Sequence, residues 1–389
     1  MRQLSVVMVA IIGLAAFGSL TKPACSQEPI KIGVMFPLTG PLVAQGAPER
    51  DAIKQAFAEE NDTIAGRKVE LLVEDSAARP DTGLTKTKAL VERDKVNLLL
   101  AELVSSVGAA MAPYVIEQKI PWVSTVALAS LTRALKSPYI FRFVPSSYQF
   151  GTVAAESAKK MGWKKAYFIG WNAPPSREAG EAVKKVFGEG NVLESMFPNV
   201  GTSDYAPYLT KMSGKADGIF AAMWGADSSR ITQQYAEYGL NRRMPLFGIA
   251  SFTSEEVLGN MPPEAVGVMS AYTYCGTLDT PENKKFVDSY KARYNALPGS
   301  YQYMGYMAAK MVIQAIKDIK GRVEDREAFI AALSKVRIKG PMGMASFDEH
   351  HGMVADFYVL TVETGKDGRL VNRCGERISQ VKDPYASFP

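Results

Sequence analysis

The stretch VELLVEDSAARPDTGLTKTKALVERDKVNLLLAELVSSVGAAMAPYVIEQKIPWVST, residues 69–125, decides the fold. Three apolar runs, at 69–75, 96–102 and 121–125, have strand length rather than helix length. Between the first two lies 81–94, which opens on Asp81 as a candidate N-cap and carries Lys and Arg towards its end. Between the last two, a small-residue segment with helical promise follows Ser105 and Ser106. Strand, helix, strand, helix, strand in close succession indicates a parallel sheet covered by helices.

The same alternation continues in both directions. Further strands are expected at 30–36, 139–144, 165–171, 191–197, 217–224, 244–249 and 265–274. Helices are expected at 47–61, 148–162, 176–189, 205–213, 226–239, 281–295, 301–320 and 325–334. A chain of 389 residues exceeds the roughly 250–300 at which a single core stops growing, so two lobes are expected. A turn-rich segment, FVPSSYQFG at 143–151, precedes a fresh βα series and marks the division. No repeat of 20–50 residues is present, which excludes a solenoid. From 336 the chain is short-stranded and turn-rich, and is expected to close one lobe. The fold class is therefore α/β, with two Rossmann-like lobes.

The apolar content of 47% and charged content of 22% are those of an ordinary globular protein. A net charge of +5 without a basic run or basic-aromatic stripe excludes nucleic acid as the expected partner. Residues 1–26 differ. Arg2, an apolar run from Leu4 to Leu20, and the small residues Ala24, Cys25 and Ser26 read as a cleaved secretory signal; the alternative is a membrane anchor. Export would permit a disulfide between the remaining cysteines, Cys275 and Cys374, but the sequence leaves their pairing open.

Enzyme motifs are scarce. There is no phosphate loop and no strand followed by G-x-G-x-x-G; the glycines of FGEGN, 187–191, read as a helix cap and turn. No cofactor is expected. The two histidines, His350 and His351, are adjacent and lack metal-ligand spacing, so a solvated loop is expected. Ser106 lies at a strand-to-helix turn, but a nucleophile elbow needs glycine where Val104 stands. Ligand binding remains. In open α/β sheets ligands sit beyond the carboxyl ends of strands, where helix N-termini offer free N–H groups. Those ends carry Thr39-Gly40, Ser105-Ser106, Ser124-Thr125, Trp171-Asn172, Trp224 and Ser251-Phe252.

With these residues in place, the chain resembles the periplasmic solute-binding proteins of the branched-chain amino-acid type, which feed ABC transporters. IKIGVMFPLTGPLVAQG resembles the family's opening strand and loop, and 69–125 follows its strand-helix order. FRFVPSSYQFG matches the crossing into the second lobe, and KGPMGMASFDEHH a late turn. The resemblance implies two lobes joined by a three-strand hinge, with 27–145 and 275–343 in the first, 146–274 and 344–389 in the second. It implies a periplasmic monomer that closes on a small molecule and delivers it to permease subunits.

It also implies a carboxylate grip at Ser105 and at the Ala127-Leu128 backbone, with Ser106 chiefly a cap or secondary donor. Leu128 stands where the family has threonine, so Thr125 or Ser124 is expected to substitute. Amino-acid binders place a carboxylate after the strand matching MPLFG to pair the ligand's ammonium; here that position is Ala250. Asp227 is the nearest replacement but reads as an N-cap. An unpaired buried ammonium is costly. A tyrosine of the family is replaced around Asn172, while Trp224 and Tyr301 supply aromatic surface; Trp171 is left between pocket and core. The expected ligand is thus a carboxylate without an α-amine, most simply an aromatic acid of benzoate, phenylpropenoate or arylpyruvate type. The alternative is an amino-acid or amide binder with a transport or sensory role. Arg177 and Arg230 are read as solvated helix residues.

Overall fold

The computed structural model describes residues 28–40, 42–212 and 215–388; the leader read at 1–26 lies outside the described residues. Two sheets organise the chain. The first comprises β1 (Ile30–Phe36), β2 (Thr63–Ile64), β3 (Arg67–Asp75), β4 (Leu98–Ala101), β5 (Trp122–Ser124) and β6 (Ile140–Arg142). Their spatial order is β2-β3-β1-β4-β5-β6, parallel throughout except for the β2–β3 hairpin. Helices α1 (Val43–Ala58), α2 (Pro80–Lys88) and α3 (Ser105–Glu117) make the crossovers. All four residues of β4 are buried, as expected for a strand covered on both faces.

The second sheet is entered through α4 (Ser147–Lys160), whose start is fixed by reciprocal hydrogen bonds between Ser146 and Gln149. It contains β7 (Ala166–Gly170), β8 (Val192–Met196), β9 (Gly218–Ala222), β10 (Leu246–Ile249) and β11 (Met269–Tyr272). Between them run α5 (Pro174–Phe187), α6 (Ala206–Leu209), α7 (Ala226–Glu237) and α8 (Glu255–Leu258). Gly188 ends α5 with φ 108°, as FGEGN suggests. Then α9 (Pro281–Tyr294), α10 (Ser300–Asp318) and α11 (Arg326–Leu333) return to the first sheet. There α10 packs along α1, where Gly305 admits the Glu49 backbone: an added Cβ would stand 2.6 Å from its carbonyl oxygen.

The tail supplies β12 (Arg337–Gly340), β13 (Gly343–Phe347), β14 (Met353–Thr364) and β15 (Leu370–Val381). These extend the second sheet as antiparallel strands, in the order β12-β13-β14-β11-β10-β9-β7-β8, with β15 on β14. The chain therefore passes between sheets after β6, after β11 and after α11.

Two long-range ties hold this boundary. Cys275, just past β11, is disulfide-bonded to Cys374 on β15. Beside β6, the fully buried Asp383 carboxylate pairs with Arg142 at 2.5 Å and with Arg133. The exposed-loop reading of the histidines is corrected for His351, whose ring stacks on Phe141 at 3.9 Å between centroids. Asp81 is likewise not the cap of α2; the N-cap is Arg79, and Asp81 in the first turn pairs with it at 2.9 Å.

Candidate functional site

The site is built from the carboxyl ends of the parallel strands. Ala101, the last residue of β4, and Glu102 after it both adopt left-handed backbone, with φ 73° and 74°. The turn lays the Glu102 carboxylate over the next amides: Oε1 accepts from Leu103 N at 3.0 Å and from Val104 N at 2.7 Å. Val104 is the N-cap of α3, and no side chain caps the helix. Ser105 and Ser106 are thus its first two helical residues, which corrects the expected capping role of Ser106. Helical bonding begins with Gly108 N to Val104 O at 2.9 Å. Among the described residues the amides of Ser105, Ser106 and Val107 have no protein acceptor, and neither serine hydroxyl has a partner. Ser105 is half-buried and Ser106 exposed. The helix dipole and three free N–H groups converge there.

Beyond β5, the Thr125 hydroxyl donates to Glu102 O at 2.9 Å, tying this loop to the start of α3. Ser124 is fully buried and accepts from Val126 N at 3.0 Å, so it is committed locally. Ala127 and Leu128 are half-buried in the loop that follows.

The second sheet contributes aromatic surface. Trp224, after β9, donates Nε1 to Ile249 O at 2.9 Å. Its ring meets Trp171 edge-on, with centroids 4.9 Å apart. Trp171 donates Nε1 to Asp227 at 2.8 Å, and Asp227 also accepts from Gly201 N at 2.7 Å and pairs with Arg230. Asp227 is therefore fully engaged, and its expected N-cap role is corrected: Gly225 is the N-cap of α7. Arg177 lies over the Phe197 ring and donates to Asn172.

Ala250 follows β10 with φ 57° and is 9% exposed. Next to it, Ser251 faces the Tyr301 hydroxyl, in the first turn of α10. The Tyr301 amide and the Ser300 hydroxyl in turn donate to Glu256 of α8, at 3.2 and 3.1 Å. Ile249 O, at the end of β10, ties the Ala250 turn to the indole pair. Two expected residues stand apart. Phe252 is fully buried, packed on Gly248, and has no surface to offer a ligand. Asn172 is exposed and bonded to Arg177 and Asn199.

The sequence reading missed three acids. Glu49 and Glu102 are 1% and 0% exposed, and among the described residues Glu49 Oε1 and Glu102 Oε2 have no hydrogen-bond partner. Burial raises the Glu49 carboxyl well above its usual range and pushes Glu102 up to about 6. Glu256, the third, acts on Glu49 across the sheets. The signal available was an acid ending the apolar run NLLLAE. A cavity of about 780 Å³ lies to one side, between α8, the α9–α10 loop and the β14–β15 hairpin; none of the expected site residues lines it.

The family model for periplasmic binding proteins matches residues 29–369, and the chain belongs to that family. Within it, the chain is a substrate-binding protein of an ABC transporter and not an enzyme. The Leu/Ile/Val-binding protein homolog 6 of Brucella abortus is 27% identical over 97% of this chain and 98% of its own. An ABC transporter substrate-binding protein from Sphaerobacter thermophilus is 31% identical, with TM-score 0.89, over 92% of this chain and all of its own. A solute-binding protein from Rhodopseudomonas palustris BisB5, solved with 3,4-dihydroxybenzoic acid, is 29% identical, with TM-score 0.84, over 92% and 99%.

Proposed function

We propose that the protein captures an aromatic carboxylate in the periplasm and delivers it to the permease of its transporter. The open first turn of α3 carries this reading: three unpartnered amides and the Ser105 hydroxyl form a cradle for an anion. From the second sheet Trp224 and Trp171, together with Tyr301 of α10, offer partly exposed ring surface, and Ala250 leaves the amine-pairing position without a charge. The Rhodopseudomonas palustris relative with bound 3,4-dihydroxybenzoic acid supports the same class. In this reading 27–145 with 275–343, and 146–274 with 344–389, are lobes that close on the ligand, while residues 1–26 act as a cleaved leader.

One observation favours an amino acid instead. Glu256 stands beside Tyr301 without a basic partner among the described residues, and a ligand ammonium would suit it. Its oxygens already serve the first turn of α10, so the aromatic acid is preferred. Calorimetry separates the two. 3,4-Dihydroxybenzoate or 4-hydroxybenzoate is expected to bind with micromolar affinity or better, and leucine weakly or not at all. Ala250→Glu is expected to weaken the aromatic acid by burying a negative charge beside it. Micromolar leucine binding with no response to any aromatic acid would overturn the reading.

A further inference from the structure

We propose that Glu102 takes up a proton when a carboxylate ligand seats on the first turn of α3, so that ligand and proton enter the cleft together. This rests on the carboxylate reading above and assigns a specificity role to a residue outside the expected site. Five successive amides, Leu103 to Val107, head towards the start of α3. Glu102 holds the first two and leaves the other three open. An anion on the open three becomes the neighbour of the Glu102 carboxyl at the same helix end.

Among the described residues no basic side chain stands there to compensate a second negative charge. The groups facing Glu102 are Asp75 at the end of β3, Ser76 just past it, Glu49 from α1 and Thr125 just past β5, all acidic or neutral. Among the described residues neither Glu49 nor Glu102 pairs with a Lys or Arg. Asp75 stays ionised, because the Leu38, Thr39 and Ala77 amides and the Thr39 hydroxyl all donate to it. Burial raises the Glu49 carboxyl well above its usual range. Glu102 is the carboxyl left poised to change, since like charges sharing a site favour protonation of one. A proton from solvent cancels its charge and converts an acceptor oxygen into a donor. Each bound carboxylate therefore carries about one proton with it, and affinity falls as pH rises.

Calorimetric titration of the whole protein with 3,4-dihydroxybenzoate, in two buffers of different ionisation enthalpy, tests this. Between about pH 6 and 7.5 the ligand's carboxyl stays ionised, so any uptake belongs to the protein. The expected result is uptake approaching one proton per ligand and a dissociation constant rising roughly tenfold per pH unit towards the upper end. Glu102→Gln is expected to retain binding while losing both the uptake and the slope. Tight binding without proton uptake would overturn the role of Glu102 and leave the carboxylate reading intact. Uptake persisting in Glu102→Gln would overturn it too, by placing the proton elsewhere. If Glu102→Gln does not fold, Glu102→Asp replaces it in the same titrations: a shifted pH range of uptake is expected, and an unshifted one would overturn the role of Glu102. Failure of every aromatic acid to bind at any pH would overturn both readings.

Discussion

Ser105 and Ser106 share a helical turn but not an environment. Because Val104 caps α3 and neither hydroxyl bonds the backbone, removing either should cost little stability. A hydrogen bond to a charged group is worth about 1.5–3 kcal/mol, so Ser105→Ala is expected to weaken aromatic-acid binding roughly tenfold to a hundredfold. Ser106, on the exposed side, is expected to change affinity far less when replaced. Calorimetry paired with thermal melts checks this. A lower melting temperature for Ser105→Ala at unchanged affinity would show that the hydroxyl serves the fold. The serines were legible as residues beyond an apolar strand. Glu102 was equally visible, but its reach over Leu103 and Val104 depends on two left-handed residues, Ala101 and Glu102. Neither residue type signals that conformation.

At the level of elements, the strands and helices expected from periodicity are present, mostly with trimmed ends. Apolar runs and N-terminal turn chemistry are local, so they can be read locally. The tie between the tail and β6 could not be. Asp383 meets Arg142 and Arg133 across 241 and 250 residues of sequence. All three are buried, and Arg142 is wholly so. Removing the shared carboxylate takes the paired charge from two buried guanidinium groups, which costs about 3–5 kcal/mol in comparable buried pairs. Asp383→Asn is therefore expected to lower the urea midpoint markedly and loosen the last residues of the chain. Unchanged stability would mean that water reaches this cluster.

Over the whole molecule, buried carboxyls tie stability to pH. Burial raises Glu178 to about 7 and Glu255 to about 8. Their folded forms hold protons that the unfolded chain releases. This contribution is full below the ordinary carboxyl range and is lost as pH rises through 7 and 8. His351 works in the opposite sense, because burial lowers its pKa below the usual 6.5, and its effect is complete above that value. Between about pH 6.5 and 8.5 only the carboxyls remain, and the melting temperature of the ligand-free protein is expected to fall. Glu255→Gln should flatten that decline. A melting temperature that rises across the window would contradict it.

The sequence by itself determined the α/β class, the order of strands and helices, and which strand ends carry hydroxyls and indoles. Those properties follow from the period of apolar residues and from turn chemistry within a few positions. Only the tertiary structure decided that Cys275 and Cys374 bond, that Phe252 faces the core and that Asp227 is consumed by Trp171 and Arg230. It also gathered Glu49, Glu102 and Glu256 from three separate elements into one poorly compensated group. Their protonation is set by burial and by neighbours far away in the chain, and local sequence holds no record of either.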